Sequence, residues 1–337
     1  MGTQIASPGH WLRSTEELSS SGYVKRERVR AALSGEGVDR PPLMTWFHQD
    51  HTASSGDLVN FSVERLARGM DLDVIKIMSD ARYPFPMGAA REPRDWRLID
   101  QWGDSQTTFI RTYVDAVRRT RALLGPAYPL IVTMYSPGMW ADLLSTGVDQ
   151  LRSDFAADPA AVHNAMANLA SNLRRTAQAC VSAGADGIFL SLRGCDSTIP
   201  AEEYRELCRP YDLMVLQGAQ GGWLNIVHVH GDTADLRVGD ALDYRPHALS
   251  WAAHTTGIGL AEIGGPPPIC VVGGLDHTAP AWHESAAPEV TRAHWREQAL
   301  IAIREVGSRL ILAPGCSVPR DSSPAALLAL RTALDDL

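Results

Sequence analysis

Residues 158–192 read DPAAVHNAMANLASNLRRTAQACVSAGADGIFLSL, and this stretch decides the architecture. Asp158 can cap a helix that has Pro159 at its first position, where a missing N–H costs nothing, and Gly184 is a C-terminal stop. A helix is therefore predicted over Asp158–Ala183. The run Gly187–Leu192 that follows is apolar without alternation, as in a strand covered on both faces of a parallel sheet. Working outward, the same unit recurs. Strands are predicted at Pro42–Phe47, Asp73–Met78, Pro129–Met134, Gly187–Leu192, Leu224–Val229, Ala248–Trp251, Ile269–Val272 and Arg309–Ala313. Helices are predicted at Glu16–Leu33, Thr108–Leu124, Ala201–Gln217, Pro288–Val306 and Pro324–Leu334. Eight such strands match an α/β fold of the (β/α)8 TIM-barrel type with an N-terminal helical extension. An open doubly wound sheet is the alternative, and no GxGxxG follows any strand to support its dinucleotide-binding version.

A single barrel domain over residues 1–337 is expected, with residues 1–20 flexible. In the N-terminal helix, Lys25, Arg26, Arg28 and Arg30 are expected to face water and Val24, Val29 and Leu33 the core. Residues 79–105 form an insertion too long for a βα loop, and Ser79–Gly103 is predicted as a hairpin flap over the barrel mouth. The chain is 45 % hydrophobic and 21 % charged with a net charge of −8. It has no basic stripe interleaved with aromatics, which argues against nucleic acid as a partner. No apolar run approaches the ~20 residues needed to span a bilayer, and Met1–Ser21 lacks the apolar region of a signal peptide. Cys180, Cys195, Cys208, Cys270 and Cys316 are odd in number and scattered, so free thiols in a reducing cytoplasm are expected.

In a barrel, chemistry gathers at the C-terminal ends of the strands. The polar residues there are His48, Asp50 and His51 after strand one, Lys76 within strand two and Asp80 after it, Tyr135 after three, and Arg193 after four. His228 and His230 end strand five, Asp276 and His277 follow seven, and Cys316 follows eight. Residues i and i+2 of a strand share a face, so both imidazoles of His228-x-His230 can bite one ion. Cys316 on its Pro-Gly turn adds a thiolate, and three donors with an open fourth position describe catalytic zinc. One solvent-facing and one hydrogen-bonded histidine is the plainer alternative, and iron or copper also accept such donors. His48 or His51 could complete the metal shell or act as general base. Tyr135 and Arg193 could orient a substrate oxygen or carboxylate. Lys76 requires a partner or marks a substrate anion. Trp46, Trp140, Trp223 and Trp251 could line an aromatic pocket, or simply pack the barrel.

Several segments together resemble the uroporphyrinogen decarboxylase superfamily. They are Arg26-Glu-Arg-Val-Arg-Ala-Ala-Leu-Ser-Gly35, Asp39-Arg-Pro-Pro42, Ser182-Ala-Gly-Ala-Asp-Gly-Ile-Phe189, Gly273-Gly-Leu-Asp276 and Ala313-Pro-Gly-Cys316-Ser-Val-Pro319. The resemblance runs from Lys25 onward and implies a (β/α)8 barrel. True porphyrinogen decarboxylases carry arginines after the opening Arg-Pro-Pro, whereas Leu43-Met-Thr-Trp-Phe-His-Gln-Asp-His-Thr52 has none. A porphyrinogen's carboxylates would lack their clamps. The zinc methyltransferase branch, which moves methyl groups from corrinoid proteins to thiols such as coenzyme M, carries His-x-Cys-Gly and Gly-Cys motifs. His228 and Cys316 match that pattern, and His230 replaces its first Cys. Asp276 matches an acidic residue of the superfamily that could order a ligand histidine or substrate. The resemblance thus implies a zinc-dependent methyltransferase for a thiol or similar nucleophile, with a small-molecule substrate, a methyl-corrinoid protein as one conceivable donor, and a homodimer. A lyase or decarboxylase of a small carboxylate anchored by Arg193, and a non-enzymatic binding barrel, are the other readings.

Overall fold

A computed structural model describes residues 15–337 apart from 50–52, 79, 86–89, 103–106, 264–268, 284–286 and 336. The expected cluster members Asp50 and His51 lie outside the described residues. The helix read from residues 158–192 spans Pro159–Ser182, with the Asp158 side chain accepting from Ala161 N at 3.1 Å. The strand that follows is Gly187–Leu192, buried throughout. Gly187 is required there because a Cβ would meet Leu224 O at 2.1 Å.

Seven parallel strands pair in chain order: β1 (Ile75–Ile77), β2 (Leu130–Tyr135), β3 (Gly187–Leu192), β4 (Ile226–Val229), β5 (Ala248–Trp251), β6 (Cys270–Leu275) and β7 (Leu310–Pro314). The segment predicted as the first strand, Pro42–Phe47, is instead extended chain with one parallel bridge, Leu43 to Leu312. Pro41 and Pro42 have no N–H to donate, which prevents a regular ladder. It nevertheless joins both edges of the sheet. Met44 N donates to Leu312 O at 2.9 Å and Leu312 N to Pro42 O at 2.8 Å, while Asp73 N, just before β1, donates to Leu43 O at 2.9 Å. The result is a (β/α)8-type barrel with an irregular eighth stave.

Other expectations need correction. In the N-terminal helix, Thr15–Ser34, Val29 is buried and Arg30 exposed as expected, but Lys25 and Arg28 are buried and Val24 is 45 % exposed. Lys25, Arg28 and Arg40 converge on Asp71 and Asp73 beneath the strands. Asp73 has no exposure and accepts from Arg28, from Arg40 at 2.6 Å and from Leu43 N at 2.8 Å. This ionic cluster ties the helix and the eighth stave to the start of β1. Of the stretch expected as a flap, Ser79–Gly103, residues 79, 86–89 and 103 lie outside the described residues. Its described part includes a 3-10 helix at Pro93–Leu98, where Trp96 donates to Asp154 at 2.8 Å, and Trp102 N donates to Asn172 at 2.8 Å. The predicted helix Ala201–Gln217 is two, Ala201–Leu207 and Arg209–Gly218, because Pro210 begins a new helix where it cannot continue the old one. No helix among the described residues is long and apolar enough to cross a membrane.

Candidate metal centre

Alternate residues of successive strands face the barrel axis: Lys76 in β1, Thr133 and Tyr135 in β2, Phe189 and Ser191 in β3, His228 in β4 and His230 just beyond it. Register places Tyr135, Ser191, His228 and Ser250 in one row across four strands. Above this row opens a cavity of about 270 Å³, which Cys316 enters from the end of β7 and Trp46 and His48 from the eighth stave. The mouth is therefore at the C-terminal ends of the strands.

One donor atom from each of His228, His230 and Cys316 lies within 4.8 Å of the others. Cys316 Sγ and His230 Nδ1 are 3.7 Å apart. Tetrahedral zinc with bonds of ~2.0–2.3 Å sets its donors roughly 3.3–3.8 Å apart, a spacing that the Cys316–His230 pair has, so the donor set fits the ion. His228 is held on three sides. Its Nδ1 is 3.1 Å from Ser250 Oγ, its ring stacks on Phe189 at 5.2 Å, and the edge of Trp46 lies 6.4 Å away. With Nδ1 engaged by Ser250, Nε2 remains as the donor. Burial pushes the pKa of His228 well below its ordinary value, with His230 and Lys76 adding to the effect. Burial likewise lowers His230 and raises the Cys316 thiol. The imidazoles are thus neutral and ready to ligate at neutral pH, whereas Cys316 must release its proton on binding a cation.

The remaining sequence-nominated residues divide. Tyr135, His48 and Arg193 line the cavity. His48 Nδ1 is 2.7 Å from Asp80 Oδ1, and the other Asp80 oxygen accepts from Gln49 N at 2.9 Å. Arg193 faces Asp142 at 3.2 Å, which neutralises it. Asp276 does not line the cavity; its carboxylate accepts from the backbone and hydroxyl of Thr278 at 2.8 and 2.7 Å and so shapes its own turn. His277 is 3.6 Å from Asp232. Of the four tryptophans only Trp46 reaches the cavity. Trp223 sits at the opposite end of the barrel, under Arg26 and Arg30, donating to Asp186 just before β3. Ser250, Thr133 and Asp142 escaped notice as site residues, because their roles depend on partners distant in the chain. Asp80 was noted at its strand end, but its pairing with His48 was not foreseen. All five cysteines are free, and only Cys316 is not fully buried.

A family model described as Uroporphyrinogen decarboxylase (URO-D) matches residues 59–337. The chain belongs to this family. Among solved structures, the uroporphyrinogen decarboxylase-type barrel is shared with a methyltransferase from Methanosarcina mazei, at 18 % identity and a TM-score of 0.73 over 93 % of this chain and 98 % of that one. Identity at this level establishes the common fold. A B12-independent methionine synthase from Shewanella sp. W3-18-1, in complex with selenomethionine, matches at 14 % identity and a TM-score of 0.48 over 66 % of each chain. A putative vitamin-B12 independent methionine synthase from Listeria monocytogenes matches at 16 % and 0.44 over 71 % of each. No curated protein matches in sequence.

Proposed function

We propose that this member of the uroporphyrinogen decarboxylase family is a zinc-dependent methyltransferase acting on a thiol or similar small nucleophile. The observation that carries the proposal is the convergence of His228, His230 and Cys316 at the cavity mouth, with the remaining side of the donor set open to substrate. The methyltransferase that shares the fold over nearly its whole length supports it. When bound, zinc supplies a positive centre that lowers a thiol's pKa and favours its anion at neutral pH. Two imidazoles with one thiolate leave that centre more positive than a set with two thiolates.

The protein's own part is positioning and exclusion of water. Ser250 fixes the His228 ring, and Phe189 and Trp46 dry the inner side of the centre. His48, steadied by buried Asp80, stands in the wall where it can take the acceptor's proton. Tyr135 and the Arg193–Asp142 pair stand in the wall beside the metal ligands and orient the incoming groups. The sulfur–carbon bond then forms as the donor–carbon bond breaks, the donor leaving with the electron pair. A methyl-corrinoid protein or a methylated small molecule fits as donor, and the free thiol ligand suits a reducing cytoplasm. The lyase reading gains no support, since its anchor Arg193 is already paired.

Metal analysis of the purified chain tests the proposal. About one zinc per chain is expected, lost in Cys316→Ala and His230→Ala together with formation of a methylated thiol. Undiminished methyl transfer by metal-free protein would overturn it.

A further inference from the structure

Lys76, the middle residue of β1, is 1 % exposed and lines the cavity. Its Nζ lies 4.3 Å from the Phe189 ring centroid and 4.7 Å from that of Trp46. Among the described residues its hydrogen bond goes to Met78 Sδ at 3.4 Å, a weak acceptor. The chain's other buried cations are treated differently. Lys25 meets Asp71 at 2.7 Å, and Arg28 and Arg40 share Asp73. Lys76 contacts ring faces and a thioether where those three contact carboxylates; Asp80 and Cys316 act on it only from a distance. Ring faces offset only part of the cost of burying an ammonium.

A second polar group beside it is also left unmatched. Thr133, on the neighbouring strand β2, is 3 % exposed, lines the same cavity, and its hydroxyl has no hydrogen-bond partner among the described residues. Register sets Lys76 opposite Ile131, so Thr133 stands one inward-facing position nearer the mouth. A lysine amine and a hydroxyl on adjacent staves, both buried and both turned to one cavity, suit an oxyanion: burial lowers the Lys76 pKa to about 7, and an anion beside it favours the ammonium. Two donor groups on adjacent staves can take one oxygen each of a carboxylate.

We propose that Lys76 and Thr133 form an anion-binding floor that takes a carboxylate of the substrate. Its other end reaches His228, His230 and Cys316. The acceptor is therefore a small mercaptocarboxylic acid, short enough for a cavity of about 270 Å³. This orientation depends on the proposed metal centre, whereas the anion site does not, and the two can fail separately.

Ligand-observed NMR titration of the full chain reads both. With zinc-loaded protein, 3-mercaptopropionate is expected to bind about 10-fold or more tightly than 3-mercaptopropionamide, the preference falling to near unity in Lys76→Met. With chelator-stripped protein, butyrate against butyramide reads the floor without the metal, and the same loss in Lys76→Met is expected. Thr133→Val, which keeps the side chain's shape, should cut carboxylate binding several-fold. No preference for the carboxylate in wild-type protein, or a preference that survives Lys76→Met, overturns the proposal; so does unchanged binding in Thr133→Val. Loss of the thiol contribution alone, with the butyrate preference intact, would sink the metal centre and leave the floor standing.

Discussion

Replacing Asp73 with alanine should be among the most damaging single changes in this protein. Its carboxylate has no exposure and accepts from Arg28, from Arg40 through two nitrogens, and from Leu43 N, with Lys25 Nζ 3.9 Å away. In its absence Lys25 keeps Asp71, and Arg28 keeps Asp39, whose side chain is 63 % exposed and so well screened. Arg40, 9 % exposed, loses the carboxylate to which it donates and retains Pro41 O. One buried charge left uncompensated costs about 3–5 kcal/mol. The orphaned Leu43 amide adds about 1–3 kcal/mol. A loss of roughly 4–8 kcal/mol is a large part of the 5–15 kcal/mol that holds a typical domain together. Urea unfolding at pH 7.5 measures it, with Asp39→Ala as control, expected to cost less than about 1 kcal/mol. Burial alone would raise the Asp73 pKa, but Lys25, Arg40 and Arg28 outweigh it and hold the carboxyl below its ordinary value. The wild type therefore loses stability as pH falls through that depressed folded-state pKa, and the variant should lack this part of the acid limb. If Asp73→Ala and Asp39→Ala unfold at the same urea concentration, the ionic cluster does not close the barrel as described.

Ser250→Ala should weaken zinc binding about 10- to 100-fold in chelator competition while leaving thermal unfolding of the metal-free protein nearly unchanged, because it frees the His228 ring without removing a donor. Equal zinc affinity in the variant would show that Phe189 and Trp46 suffice to hold that ring. Asp212 offers a pH test remote from the cavity. Burial raises its pKa to about 7 against hydroxyl donation from Tyr204 and Tyr244. A carboxyl with a raised folded-state pKa costs stability as pH climbs from the unfolded value near 4 toward 7. Asp212→Asn should remove that slope and gain on the wild type across this window in denaturant titrations; a parallel pH dependence would refute it.

The barrel was legible because its evidence is local. Helix caps, proline at helix starts and unbroken apolar strands lie within a few residues of one another, as at Asp158 through Leu192. Six of the predicted strands, from the second to the seventh in the sheet, match to within a few residues, and β1 is the core of another. The first strand failed because ladder formation depends on N–H groups that Pro41 and Pro42 lack, a defect repaired only by bonds to Leu312 and Asp73. The inward face of the N-terminal helix was legible at Val29 but not at Lys25 and Arg28, because hydropathy cannot foresee the aspartates 46 and 45 residues away that make their burial tolerable.

For the site, the sequence alone fixed which donor types stand at strand ends, since two-residue periodicity puts His228 and His230 on one side and the barrel's polarity puts both near Cys316. Only the folded chain decided that the three meet, that His48 leans on Asp80 while Arg193 faces Asp142, and that Lys76 meets ring faces and a thioether. Those outcomes turn on distances of a few ångströms between residues tens of positions apart, and closure of the barrel, which no local pattern encodes, sets them.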